Sequence, residues 1–243
     1  MHSTKKNLSY ATFTNIGNRA VNEDSLGVLT TQEGIYFLVC DGLGGHGGGD
    51  VASSLVIETM KRSLSQGRAV EPSILEAQSC LLEEQRRQNA LDKMKTTMTC
   101  LRICENEAMF AHVGDSRIYH FEKNKMIRRS QDHSVPQMLY ESGQIKEKDI
   151  RHHADRSRLL RVMGTEWKSP KYQIVQNIPV TNKSSFLLCS DGFWELIDEK
   201  QMCKLLKKSD TPDQWLAQMK EVIKENGQGT NMDNYTAIAV FVR

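Results

Sequence analysis

Four aspartates in this chain stand where apolar runs end. Tyr36-Phe37-Leu38-Val39-Cys40 stops at Asp41-Gly42, and Phe186-Leu187-Leu188-Cys189-Ser190 stops at Asp191-Gly192. Phe110-Ala111-His112-Val113 stops at Gly114-Asp115, and Asp233-Asn234 stands directly before the last run, which begins at Tyr235. One such aspartate is ordinary turn chemistry, because Asp bonds nearby backbone and Gly accepts positive φ. Four together carry more weight. If the strand ends share one edge, several carboxylates occupy a small volume, and they cannot all stay ionised without something positive between them. Donors that are all oxygen, with no Cys or His among them, suit a hard cation such as Mg²⁺ or Mn²⁺. No Cys/His set has the spacing of a zinc site.

A second charged cluster, Arg19-Ala20-Val21-Asn22-Glu23-Asp24, precedes a strand pattern. It reads either as a solvated turn or as part of the same site. In the second case Glu23 and Asp24 act on metal ions through water, and Arg19 offers a planar fork to phosphate oxygens. The glycine run 42–49 opens a helix but lacks the Gly-Lys-Ser/Thr of a nucleotide-binding loop. Its glycines do allow close backbone approach, so the Gly42 carbonyl could ligate a metal. His152-His153 reads as surface, since adjacent residues of an extended segment point opposite ways.

The elements that must carry these residues follow from periodicity. Alternating or β-branched runs predict strands over 8–14, 25–30, 34–40, 97–104, 107–113, 116–121, 172–178, 185–190 and 235–242. Helical spacing marks 50–66, 72–90, 135–142, 199–207 and 211–225, with Pro72 and Pro212 in first turns. Runs of strands broken by paired helices argue an α+β fold with helix-covered sheets. The charged stretch 144–164 shows little periodicity and reads as a mobile surface subdomain.

Composition narrows the function classes. The chain has 243 residues, 39% hydrophobic and 26% charged, a length that one β-rich domain spanning 1–243 can fill. Lys plus Arg number 32 against 30 acidic residues, so nothing points to nucleic acid. The longest apolar run, 35–40, is far short of the roughly 20 residues that span a bilayer. The basic N-terminus is followed by no apolar stretch, so no secretory signal is expected. Six cysteines without a CxxC pair read as thiols of a reducing compartment, and a cytoplasmic location is expected.

Taken in order, these motifs resemble the metal-dependent Ser/Thr protein phosphatases of the protein phosphatase 2C type, in their bacterial form. The resemblance runs through 19–24, 39–46, 96–99, 113–117, Asp132-His133-Ser134, 188–192 and Asp233-Asn234-Tyr235-Thr236. It implies a central β-sandwich of two antiparallel sheets, flanked by helix pairs, with a two-metal Mn²⁺ or Mg²⁺ centre at one end. By motif position Asp41 bridges both metals, Asp191 and Asp233 hold the first, and the Gly42 carbonyl helps hold the second. Glu23 and Asp24 bind through metal waters, Asp115 with Asp191 offers a third site, Arg19 grips the substrate phosphate, and 144–164 is the flap. The chain departs from animal members in carrying Leu43 where they have a His proposed as general acid. Leaving-group protonation then falls to a metal water or another side chain, with His46 a candidate.

The implied reaction is direct hydrolysis of phosphoserine and phosphothreonine in proteins by a metal-activated water, without a phospho-enzyme. Kinase substrates or a kinase are the expected partners, and a monomer is the expected state. Two rivals remain: the same fold used only as a binding module, and another two-metal hydrolase such as a nuclease. An intact acidic set counts against the first and the near-neutral charge against the second.

Overall fold

The computed structural model describes residues 7–44, 47–90 and 93–243. Ten strands form two antiparallel five-stranded sheets. In chain order they are β1 (Leu8–Asn15), β2 (Asp24–Thr31), β3 (Gly34–Asp41), β4 (Met98–Cys104), β5 (Glu107–Val113), β6 (Arg117–Glu122), β7 (Lys125–Arg129), β8 (Gln173–Pro179), β9 (Ser184–Cys189) and β10 (Tyr235–Val242). One sheet has the order β1-β10-β9-β6-β7 and the other β2-β3-β4-β5-β8. Helices α1 (Gly49–Ser65) and α2 (Val70–Arg87) cover the second sheet. Helices α5 (Glu199–Leu206) and α6 (Pro212–Gly227) cover the first. Two shorter helices, α3 (Val135–Glu141) and α4 (Asp191–Trp194), lie in the connections.

Alternation along the central strands makes the layers. On β3, Phe37 and Val39 enter the core between the sheets, while Leu38 and Cys40 enter the core under α1 and α2. On β10, Ile238, Val240 and Val242 face the other sheet, while Ala237, Ala239 and Phe241 face α5 and α6. A strand buried on both faces needs apolar residues at every position, which explains the unbroken runs in the sequence. Each large side chain so buried contributes on the order of 1.5–3 kcal/mol. The two-sided sandwich and its helix pairs are as the sequence predicts.

Three elements differ from the sequence reading: β7, the four-residue helix α4 and a short helix within 144–164. β7 escapes it because an exposed edge strand, Lys-Met-Ile-Arg-Arg, lacks an apolar face, and its Ile127 is 58% exposed. The 144–164 segment contains a 3-10 helix, Glu147–His152, whose Ile150 is buried, so it is more structured than its composition suggests.

The topology decides where the aspartates go. β3 ends on Asp41, which pairs in register with Asp24 at the start of β2. β9 leads through Ser190 into Asp191 at the head of α4, and Ala237 on the neighbouring β10 pairs with Cys189. Antiparallel pairing therefore places Asp233, just before β10, at the same end as Asp191.

Candidate active site

A cavity of about 600 Å³ at this end is lined by Asp41, Asp115, Asp191, Asp233, Glu23 and Arg19. Gly42 and Leu43 contribute to its lining, and Ser157 and Leu159 of the 144–164 segment form one wall. Every strand-end aspartate singled out in the sequence reaches this cavity. Asp24 does not line it; it lies buried beneath, within β2.

The supports for each carboxylate are local and specific. The Asp41 backbone N–H donates to the Thr97 hydroxyl at 3.0 Å, and its carbonyl accepts from the Thr96 hydroxyl at 2.8 Å. Gly42 donates its N–H to the Glu23 carbonyl at 3.1 Å, and a Cβ there would strike the Gly49 and Glu23 backbone. Only glycine fits that crossing. Gly114, at φ 100°, turns β5 toward Asp115. It is held by His133, whose N–H donates to its carbonyl at 2.9 Å and whose Nδ1 accepts its N–H at 3.2 Å. The Trp194 indole N–H donates to the Asp115 carbonyl at 3.0 Å. Asn234 ties the 16–23 loop to the start of β10: its amide donates to the Ile16 and Val21 carbonyls and its Oδ1 accepts the Glu23 N–H at 2.8 Å.

Arg19 does not project free into the cavity. Its Nε and Nη2 donate to the two carboxylate oxygens of Asp233 at 2.9 and 2.8 Å, a bidentate pair that is about half-exposed on each side. Asp24 is buried rather than solvated, and its carboxyl accepts from the Ser190 hydroxyl at 2.7 Å.

Electrostatics set this cluster apart. Burial, then the carboxylates of Asp191, Asp24 and Asp115, push Asp41 well above the usual range. Burial, then Glu195 and Asp233, raise Asp191 to about 7, and its carboxyl is close enough to Asp41 for the two to share a proton. Asp115 is raised by burial and by Asp191. Asp24 rises to about 7 through burial, against the opposing bonds from Ser190 and Thr236, and its Oδ1 is buried without a partner. Glu23 is raised by burial and by Asp50.

The donor set fits hard divalent cations in kind: oxygen-only groups, mutually repelling, with one buried Asp24 oxygen unsatisfied. The carboxylates converge without closing on one ion, since among the described residues no three His, Cys, Asp or Glu side chains form a ready coordination set. Among the described residues no histidine lines the cavity. His133 is neutral, lowered to about 3 by burial, then by His112 and Arg161, and His46 lies outside the described residues. His152 and His153 also lie outside the cavity.

Sequence reasoning marked the carboxylates and missed their supports. Thr97, Ser190, Trp194 and Asn234 act through hydrogen bonds that leave no spacing signal, although Thr97, Ser190 and Asn234 lie inside motifs quoted above.

Similarity to known proteins agrees with this geometry. The Listeria monocytogenes serotype 4b serine/threonine phosphatase stp is 28% identical over 232 residues, covering 90% of this chain and 89% of that protein. The crystal structure of the serine/threonine phosphatase Stp1 from Staphylococcus aureus superposes with a TM-score of 0.86 at 27% identity, covering 97% of this chain and 95% of that one. The catalytic domain of the phosphatase PstP, solved in complex with two manganese ions, shares the fold at a TM-score of 0.79 and 24% identity, covering 97% and 98% of the two chains. Residues 14–234 match the protein phosphatase 2C family, and the chain belongs to that family of Ser/Thr protein phosphatases, in its bacterial form.

Proposed function

We propose that this chain hydrolyses phosphoserine and phosphothreonine monoesters in proteins by direct attack of water, reversing the action of Ser/Thr kinases. The observation that carries the reading is the convergence of Asp41, Asp115, Asp191 and Asp233 with Arg19 on one cavity. Asp41 would be shared by two Mn²⁺ or Mg²⁺ ions, with Asp191 and Asp233 on the first and the Gly42 carbonyl on the second. Glu23 and Asp24 would act through water, and Asp115 with Asp191 would hold a third ion. The two manganese ions of the PstP catalytic domain support the first two of these sites. When bound, such ions supply Lewis acidity: they polarise the phosphoryl oxygens and lower the pKa of a water.

The chain's own residues do the rest. Among the described residues Arg19 is the one cation on the cavity wall, and its fork matches two phosphoryl oxygens as well as it matches Asp233. Asp233 can turn to a cation only if it gives up that pair, which frees Arg19 for the substrate phosphate. Ser157 and Leu159 close the opposite wall, where 144–164 acts as a flap. Leu43 offers no proton to the leaving group, which leaves a water or another side chain to deliver it.

The chain acts as one domain over 1–243, as a monomer in the cytoplasm; no helix among the described residues is long and apolar enough to cross a membrane. The test is Mn²⁺-stimulated release of phosphate from a phosphothreonine peptide, with a phosphodiester as control. Activity on the peptide that is lost in Asp191→Asn is expected. A protein that binds the peptide without turnover, or that prefers the diester, overturns the reading.

A further inference from the structure

The flap is moored to the body by arginines. Arg151, on the 3-10 helix Glu147–His152, donates Nη2 to Glu199 at 2.8 Å. Glu199, the first residue of α5, also accepts from the Tyr119 hydroxyl at 3.1 Å and lies 3.5 Å from Arg117. Arg117 in turn grips Asp132 through two bonds of 2.8 and 2.6 Å and lies 3.4 Å over the Trp194 ring, whereas Arg151 lies 5.3 Å from that ring. Five residues beyond Arg151 the chain pairs Arg156 with Glu195, then supplies Ser157 and Leu159 to the cavity wall.

The two moorings differ in kind. Arg156 is 43% exposed, and an ion pair in that setting contributes little. The Arg151 side chain is 12% exposed, and its partner is fixed from three directions, so its bond is charge-assisted with little competing water. Losing Arg151 would still leave Glu199 satisfied by Tyr119 and Arg117. Trp194 would keep its closer cation, Arg117, and with it the hold on the Asp115 carbonyl. The carboxylate cavity therefore does not depend on Arg151, whereas the seating of the 3-10 helix does in part, beside the Arg129–Glu147 pair and buried Ile150, with Leu159 bridged separately to Ser134.

We propose that Arg151, through Glu199, is a positioning residue for substrate selection: it sets the flap wall against which a phosphopeptide's main chain lies, while a small phosphate ester needs no such wall. The proposal rests on the phosphatase reading above. Arg151 itself lies off the cavity wall.

The test compares a phosphothreonine peptide with p-nitrophenyl phosphate, using the full chain with Mn²⁺. Arg151→Leu is expected to raise KM for the peptide about tenfold, with peptide kcat and aryl phosphate kcat/KM changed by less than about twofold. Arg151→Lys should restore most of the peptide affinity. Glu199→Gln should give the same split, and the double variant no further rise, since both act through one contact. If circular dichroism shows Arg151→Leu unfolded, Glu199→Gln and Arg151→Lys decide by the same KM ratio. Equal losses on both substrates, or no change in peptide KM, overturn the inference alone. Wild-type protein that hydrolyses neither ester overturns the phosphatase reading and this inference with it.

Discussion

Within the four residues of α4 the molecule passes between two ways of burying charge. At Asp191 carboxylates face carboxylates, and four of them are pushed upward in pKa by burial and by one another. At Trp194 carboxylates face arginines: burial pushes Glu199 up, yet Arg151 and Arg117 outweigh it and hold the group below its usual value. A buried charge with a fitted partner is part of the fold's support. A buried charge whose neighbours share its sign destabilises the fold and suits a ligand that stands outside the chain.

The largest effects should separate the two regions cleanly. Asp41→Asn removes a repelling charge and a ligand together. Turnover should fall by about 10³-fold or more, while the chelated protein melts no lower than wild type. Arg117→Met does the opposite, leaving Asp132, 1% exposed, without its bidentate partner. Urea denaturation should show a loss of about 3–5 kcal/mol. A destabilised Asp41→Asn beside an unaffected Arg117→Met would break the contrast.

Arg19 sits on the boundary, the one cation among the described residues that line the acidic cavity. Arg19→Ala should lower kcat/KM by about 2–4 kcal/mol, the scale of a lost donor to developing phosphoryl charge. Because its pair with Asp233 is half-exposed, little stability should go with it. Steady-state kinetics and melting on the same preparation check both halves of that statement.

The acidic region should also carry its own pH signature. Asp24 and Asp191, raised to about 7, bind protons on folding that the unfolded chain has already released. The stability they provide is full below the unfolded carboxylate pKa and is lost as pH rises through about 7. In chelator the melting temperature should therefore climb as pH is lowered from about 8 to about 6.5. Below 6.5 the buried His120 and His133, lowered to about 4 and about 3, oppose the rise, because the unfolded chain now takes up their protons. Saturating Mn²⁺ should flatten the climb. A chelated melting curve independent of pH over that span would show that the carboxylates do not repel one another.

The contrast also marks what a sequence can disclose. Asp41, Asp115 and Asp191 were legible because each interrupts a run that alternation requires to be apolar, and the run tells which end it caps. Helix-covered sheets were legible from the grouping of strand runs and helix pairs, whereas the two-sheet sandwich followed only from the resemblance of the ordered motifs. The arginine region left no such trace. Arg117 and Glu199 are 82 positions apart, and Arg19 and Asp233 are 214, so only the folded chain reveals those pairs. β7 was illegible because an edge strand needs no apolar face, and Trp194 because an indole bonded to a carbonyl reads as ordinary core.

The smallest predicted effect lies where the two regions touch. Arg156 pairs with Glu195 at 2.9 Å, and Glu195 is the largest source of the repulsion that raises Asp191, after burial itself. Arg156→Ala removes a half-exposed ion pair, so stability should change by less than about 1 kcal/mol. It also leaves Glu195 with less to offset its charge, which raises Asp191 further and makes a cation there more welcome once the proton is gone. The acid limb of the pH–rate profile at limiting Mn²⁺ should therefore move to higher pH, while the plateau keeps its height. A limb that stays fixed would mean that Glu195 does not act on Asp191, and the carboxylates of the cavity would then form a cluster electrically closed to the arginines beside it.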